Sequence, residues 1–112
     1  MAAPRGIDDT LIALADPTRR AILQRLSRGE ARVTELAAPF AISLNAVSKH
    51  IRMLERAQLV RRRVQGREHV LSFNPKPFDA AAAWMQAQRH AWTARLDALD
   101  ALLKEEDRTG KS

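Results

Sequence analysis

Cysteine and tyrosine are absent from the 112 residues. Without a thiol there is no disulfide framework, no thiolate metal site and no cysteine nucleophile. The four glycines form no phosphate-cradling Gly-rich loop, and the three histidines, His50, His69 and His90, fall on three separate segments. No catalytic constellation emerges, so the chain reads as a non-enzyme that needs no cofactor. No apolar run approaches the roughly 20 residues that span a bilayer. The opening Met1-Ala-Ala-Pro-Arg-Gly6 also lacks the apolar stretch of a signal peptide. A cytoplasmic protein with no membrane partner is expected. There is no internal repeat or low-complexity segment, and the polar stretch Glu105 to Ser112 is expected to fray.

What is present is a 46% hydrophobic content, enough for one modest core and hence one domain over residues 1–112. The net charge of +6 is unevenly placed. Through Phe73 there are 13 Lys/Arg against 7 Asp/Glu, whereas from Asn74 onward the two balance at 6 and 6. A basic excess confined to the first two-thirds suits a surface that neutralises phosphates and releases their counterions. An Arg-rich solubilising surface is the plainer alternative.

Ile7, Leu11 and Leu14 recur at helical spacing over Asp8–Ala15 and predict a short first helix with one apolar face. Asp16-Pro17 then announces a second, Asp as N-cap and Pro at the first helical position, running to about Arg28 and ending at Gly29. Its core side would hold Ala21, Ile22, Leu23 and Leu26. Thr34 is the expected cap of a third, Glu35–Ala38, bounded by Pro39. Ser43 opens a fourth, Leu44 to about Ala57, with Leu44, Val47, Ile51 and Leu54 on one stripe.

Two short helices joined by about four residues, the second basic on its outer side, outline a helix-turn-helix over 34–57. From Leu59 the period becomes strand-like. Leu59–Val64 and His69–Phe73 flank Gln65-Gly66-Arg67-Glu68, and Gly66 supplies the positive φ a tight loop requires. The segment 59–73 therefore reads as a two-stranded β-hairpin, a wing, closed by Asn74-Pro-Lys-Pro77. The fold expected is mainly α with this hairpin: a winged helix-turn-helix with N- and C-terminal dimerisation helices, 7–15 and 78–104.

On the second motif helix, Asn45, Ala46, Lys49, Arg52, Met53 and Arg56 lie opposite the apolar stripe, with Ser48 on the flank. Asn pairs bidentately with adenine and Lys donates to guanine, while small neighbours allow close approach. Asn45, Ser48 and Lys49, near the start marked by Ser43, are assigned to bases, and Arg52 and Arg56 to the backbone. His50 is read as a phosphate or capping contact. Arg61, Arg62, Arg63 and Arg67 lie on the hairpin, where guanidinium groups grip phosphate or enter a minor groove, and Arg67 at the tip is the best placed. A solvated helix face, and an edge strand guarded by like charge, are the competing explanations.

A long Ala-rich helix follows, carrying Met85, Trp92 and Leu99 at intervals of seven, with Leu96 and Leu103 in the complementary position. Trp84, Ala91, Ala98 and Leu102 add a neighbouring line. So wide a stripe exceeds the needs of a small core and favours packing against a second copy, rather than folding back on its own domain. Leu11 of the first helix joins the same expected interface.

Leu14-Ala-Asp-Pro-Thr-Arg-Arg-Ala-Ile-Leu23, Thr34-Glu-Leu-Ala37, Asn45-Ala-Val-Ser-Lys-His-Ile51 and Leu54-Glu-Arg-Ala-Gln-Leu-Val60 together resemble the ArsR family of winged-helix repressors. The likeness covers roughly residues 8–74. It implies a homodimeric repressor on an imperfect palindrome of double-stranded DNA. Two departures stand out. Gln58 occupies the place of a usual glycine at the turn into the wing, and the paired cysteines of the metal-sensing members are replaced by Glu35-Leu-Ala-Ala-Pro39. Other members bind metal through Asp and His of the C-terminal helix; here Asp79, His90 and Asp97 offer one histidine, a poor set, so no metal is expected. A small-molecule effector stays open, and the cysteine-free, tryptophan-bearing tail resembles regulators encoded beside hydrophobic-ligand-binding proteins. The rival to a sequence-specific regulator is a sequence-tolerant nucleoid or RNA-binding protein.

Overall fold

Helix α1, Arg5–Leu14, leads into α2, Pro17–Leu26, and a short strand β1, Ala31–Arg32. The motif helices α3, Val33–Ala37, and α4, Leu44–Arg56, follow. Strands β2, Val60–Gln65, and β3, Glu68–Phe73, precede the long helix α5, Pro75–Gly110. The structure, a computed structural model, describes residues 5–110. The chain divides into two units, Met1–Ala81 and Ala82–Ser112, with the boundary inside α5.

The first unit holds the core. Ile22, Leu23 and Leu26 of α2, Leu36 of α3, and Val47, Ile51 and Leu54 of α4 meet Leu59, just before β2, and Val60 and Leu71 of the sheet. Each helix contributes one apolar stripe, so burial and the 3.6-residue period select the same residues. Two expectations shift here. On α1 the inward face is Ile7, Thr10 and Ala13, which turns Leu11 and Ile12 outward. The buried Thr10 hydroxyl donates to the Gly6 carbonyl at 2.9 Å, so its polar atom costs little there. Leu44, placed in the core stripe by periodicity, is 52% exposed. As the first residue of α4 it precedes the turn, beginning at Val47, that meets the core.

Helix starts follow local chemistry. Asp16 caps α2, accepting from the Arg19 N–H at 3.0 Å. That backbone hydrogen bond holds the Asp16 carboxyl below its ordinary value against an opposing effect of burial, with His50 when protonated and the Arg19 charge adding to the lowering. A lowered folded pKa means stabilisation that is complete above the unfolded value near 4 and lost as pH falls through the folded one. Asp16→Ala should therefore cost about 1 kcal/mol near neutrality. In urea titrations at pH 7 and pH 3 the gap between parent and variant should narrow on acidification; a gap independent of pH would deny the cap this role.

Helix α3 starts at Val33, earlier than the Thr34 cap predicted, because Arg32 is still paired in β1 when the chain turns. Arg32 takes the cap position, and its N–H donates to Glu35 Oε1 at 3.2 Å. Helix α5 likewise starts at Pro75 instead of Phe78. Pro75 and Pro77 fall within the first turn, where an absent N–H forfeits no intrahelical bond. At its other end the helix continues to Gly110 where fraying was expected. Lys104–Asp100 and Arg108–Glu105 ion pairs, and a Thr109 hydroxyl bonded to the Glu105 carbonyl, accompany that last stretch. Lys111 and Ser112 lie outside the described residues, as do the first four residues of the opening segment.

The sheet has three strands in the order β1-β3-β2, one more than the expected hairpin. Ala31 pairs with Leu71 and Arg32 with Val70, so the wing is anchored to the motif by a strand too short to show a period. Gln65 faces Glu68 across a two-residue turn of Gly66, φ +65°, and Arg67, tighter than the four-residue loop read from the sequence.

The passage from α4 to β2 is a Schellman turn. The Leu59 N–H reaches the Leu54 carbonyl at 3.0 Å and the Gln58 N–H reaches that of Glu55 at 2.9 Å. This places Gln58 at φ +61°, a left-handed conformation costly for a side chain bearing Cβ. Gln58→Gly should relieve that strain and stabilise the fold by about 0.5–1 kcal/mol, raising the thermal midpoint by a few degrees. An unchanged or lower midpoint in calorimetry would show that the strain is compensated.

Candidate nucleic-acid interface

Opposite the buried Val47, Ile51 and Leu54, helix α4 presents Asn45, Lys49, Arg52 and Arg56 to solvent, with Ser48 half-covered on the flank. Ser43 fixes the start of this face by accepting the Ala46 N–H at 3.1 Å through its Oγ. The first turn of the helix, with unpaired backbone donors, is thereby held open at the end where Asn45 stands.

The hairpin is drawn to this face. Ser48 of α4, Thr34 of α3, and Arg62, Arg67 and His69 of the wing line one hollow of about 380 Å³. Helix and wing therefore form a single concave surface in the structure, which their separation in sequence did not establish.

Ion pairs sort the arginines. Arg62 grips Glu55 bidentately at 2.7 and 3.2 Å, and this carboxylate raises the guanidinium pKa further above its usual value. Arg63 is held by Glu30 at 2.9 and 3.1 Å, and Arg32 by Glu68 at 3.0 Å. These contacts cancel carboxylates near the hollow that would otherwise repel a polyanion. Among the described residues, Lys49, Arg52, Arg56, Arg61 and Arg67 form no ion pair. Their charge is available to an outside partner.

His50 is turned elsewhere. Its Nδ1 lies 3.2 Å from Arg19 Nη1 and 3.8 Å from Asp16 Oδ2, toward the start of α2 and away from the face carrying Lys49. Residue 50 sits one step around the helix from the exposed stripe, beside the residue that caps α2. His69 lies near Arg62, its Nδ1 at 3.2 Å.

Sequence reading missed Asn74. It is buried, donates to the Gln58 carbonyl through Nδ2 at 2.8 Å, and its N–H reaches the Leu59 carbonyl at 2.8 Å. This clasp ties the base of the wing to the end of α4. The Asn-Pro pair signalled a helix start in the same way as Asp16-Pro17, but the residues it would clasp are 15 positions and more away.

The apolar side chains expected at a subunit interface are uncovered within the chain. Met85, Leu96, Leu99 and Leu103 are about half exposed, Trp92 is 61% exposed, and Leu11 on α1 is partly so. No side chain of the second unit is buried among its described residues. The described residues contain no group of three His, Cys, Asp or Glu side chains able to hold a metal ion, and His90 stands exposed on α5. No helix among them is long and apolar enough to cross a membrane.

Comparison with known proteins agrees with this geometry. A family described as a helix-turn-helix domain matches residues 14–63. The HTH-type transcriptional regulator Rv2034 of Mycobacterium tuberculosis is 43% identical over 75 residues, 67% of this chain and 70% of its own. A crystal structure of an ArsR family transcriptional regulator is 43% identical with a TM-score of 0.77, over 82% of this chain and 95% of that one. A homodimeric winged helix-turn-helix DNA-binding domain from Mycobacterium bovis, 26% identical, superposes with a TM-score of 0.61 over 77% of this chain and 78% of its own. With superposition and identity of this extent, the chain belongs to the ArsR family of helix-turn-helix transcriptional regulators.

Proposed function

We propose that the protein is a homodimeric, sequence-specific DNA-binding repressor that acts in the cytoplasm and lays α4 in the major groove with the Gly66-Arg67 turn against the flanking backbone. The observation that carries this reading is that α4 and the wing meet in one hollow, lined by Ser48 and Arg67 among others, while Arg67 and the exposed Lys49, Arg52 and Arg56 of α4 form no ion pair among the described residues. Asn45, Ser48 and Lys49 read bases; Arg52, Arg56, Arg61 and Arg67 hold phosphates. Ser43 acts through the helix start, and His50 is left out of the contacts. The homodimeric relative of the same fold and the uncovered apolar line of α5 support pairing of two copies. A dimer across two half-sites one helical turn apart covers a stretch of duplex from which polymerase is excluded, so repression follows from occupancy.

Footprinting of the purified protein on the region upstream of its own gene tests the reading. Two protected half-sites, about 10 base pairs between centres, are expected, together with a reporter that rises when the protein is removed. Protection without boundaries, equal on scrambled DNA, would favour a sequence-tolerant binder. Arg67→Ala should weaken operator and scrambled duplexes about equally and reduce the slope of log K against log salt by about one unit. A slope equal to the parent's would return Arg67 to guarding a sheet edge.

A further inference from the structure

Arg19 is the most connected side chain among the described residues of the first unit. Its Nε donates to the Ala13 carbonyl at 2.8 Å and its Nη2 to the Ile12 carbonyl at 3.1 Å, which also accepts the Ala15 N–H, so the guanidinium sits on the carbonyl end of α1. Nη1 turns the other way, 3.2 Å from His50 Nδ1 and 3.4 Å from Met53 Sδ, both on α4. The backbone N–H of the same residue is held by Asp16. One planar, permanently charged fork thus spans the end of α1, the start of α2 and the middle of α4. For Arg19 to donate to it, His50 Nδ1 carries no proton, which puts the ring proton on Nε2.

We propose that Arg19 is a positioning residue for DNA reading: through His50 it sets the rotation of α4 about its axis, and so the aim of Asn45 and Lys49, without touching DNA. The proposal rests on α4 being the reading helix. Core packing of Val47, Ile51 and Leu54 already fixes that the helix is buried on one side. Apolar contacts are non-directional, however, whereas a hydrogen bond from a fixed fork resists rotation. Because Lys49 and His50 are adjacent, a small turn at one displaces the other.

The test compares operator and scrambled duplexes titrated at fixed salt with the parent, Arg19→Met, His50→Asn, His50→Leu and the Arg19→Met/His50→Leu pair, with thermal unfolding alongside. Asparagine Oδ1 offers an acceptor near the place of Nδ1, whereas leucine fills volume without one and is the better helix former. Positioning predicts that His50→Asn keeps the parent's preference for operator within about two-fold, while His50→Leu and Arg19→Met each lower it roughly ten-fold. The double variant should be no worse than either single one. If His50 merely packs, leucine equals or exceeds asparagine in preference as in stability, and that order overturns the proposal. Should Arg19→Met fail to fold, the two histidine variants decide alone, since both leave the Arg19 bonds to α1 in place. A parent with no preference between duplexes removes the DNA-reading function itself, and the proposal with it, before any variant is compared.

Discussion

Trp92→Ala is expected to give a folded monomer whose affinity for its operator falls by about two orders of magnitude or more. The side chain is 61% exposed within the chain, so its truncation leaves the core of Ile22, Ile51, Leu54 and Leu71 untouched. What it removes is the largest element of an apolar line, with Met85, Leu96, Leu99 and Leu103, that is about half exposed or more among the described residues. An exposed stripe of this length marks an interaction surface, and a tryptophan at its centre buries about 150–250 Å² when a partner closes over it. Truncating a fully buried aromatic costs about 3–5 kcal/mol, a hundred-fold or more in association. A monomer also presents one recognition helix instead of two, forfeiting the effective concentration that joins half-sites. Sedimentation equilibrium beside operator titration measures both effects. A variant that stays dimeric at micromolar concentration and binds normally would place the subunit contact elsewhere; a lowered melting temperature of the monomer would mean that Trp92 packs on its own chain.

Lys49→Ala and Asn45→Ala should each cost about 1–3 kcal/mol at the base pair they read and leave binding to scrambled DNA much less affected. Lys49 loses one positive charge as well, so its variant should also flatten the salt dependence by about one unit, whereas Asn45→Ala should not. The contrast separates reading from mere attraction. Both residues are exposed on α4 and neither enters the core, so thermal stability should stay within about 0.5 kcal/mol of the parent. Systematic comparison of single base-pair changes in the operator would assign each side chain to its base. If both variants keep the parent's ratio of operator to scrambled binding, the reading face lies elsewhere.

Most helices were legible because their signals are local. Asp16-Pro17 marked the start of α2 and Ser43 that of α4, since a cap acts within three residues of itself. The stripe Val47, Ile51, Leu54 was visible because burial imposes its own period. Gly66 announced the hairpin because only its backbone accepts the turn cheaply. Where an element draws its stability from afar, the reading failed. β1 consists of two residues whose only reason to be extended is the Leu71–Val70 edge nearly 40 positions on, and its formation moved the start of α3 away from Thr34. Leu44 has core chemistry but sits one turn before the core begins, a matter of where α4 is placed and not of its composition.

The sequence alone determined the order of elements, the confinement of excess charge to residues before Asn74, and the side of α4 that faces out, because caps, periods and composition are properties of neighbouring residues. Tertiary structure decided which charges remain available. Arg62 and Arg63 are indistinguishable from Arg61 as residues of one basic run, yet Glu55 and Glu30, 7 and 33 positions away, take these two and leave Arg61. It also placed His50 beside Arg19, 31 positions back. Pairing falls off steeply with distance in space and is indifferent to distance along the chain, so only the folded arrangement assigns each arginine its partner.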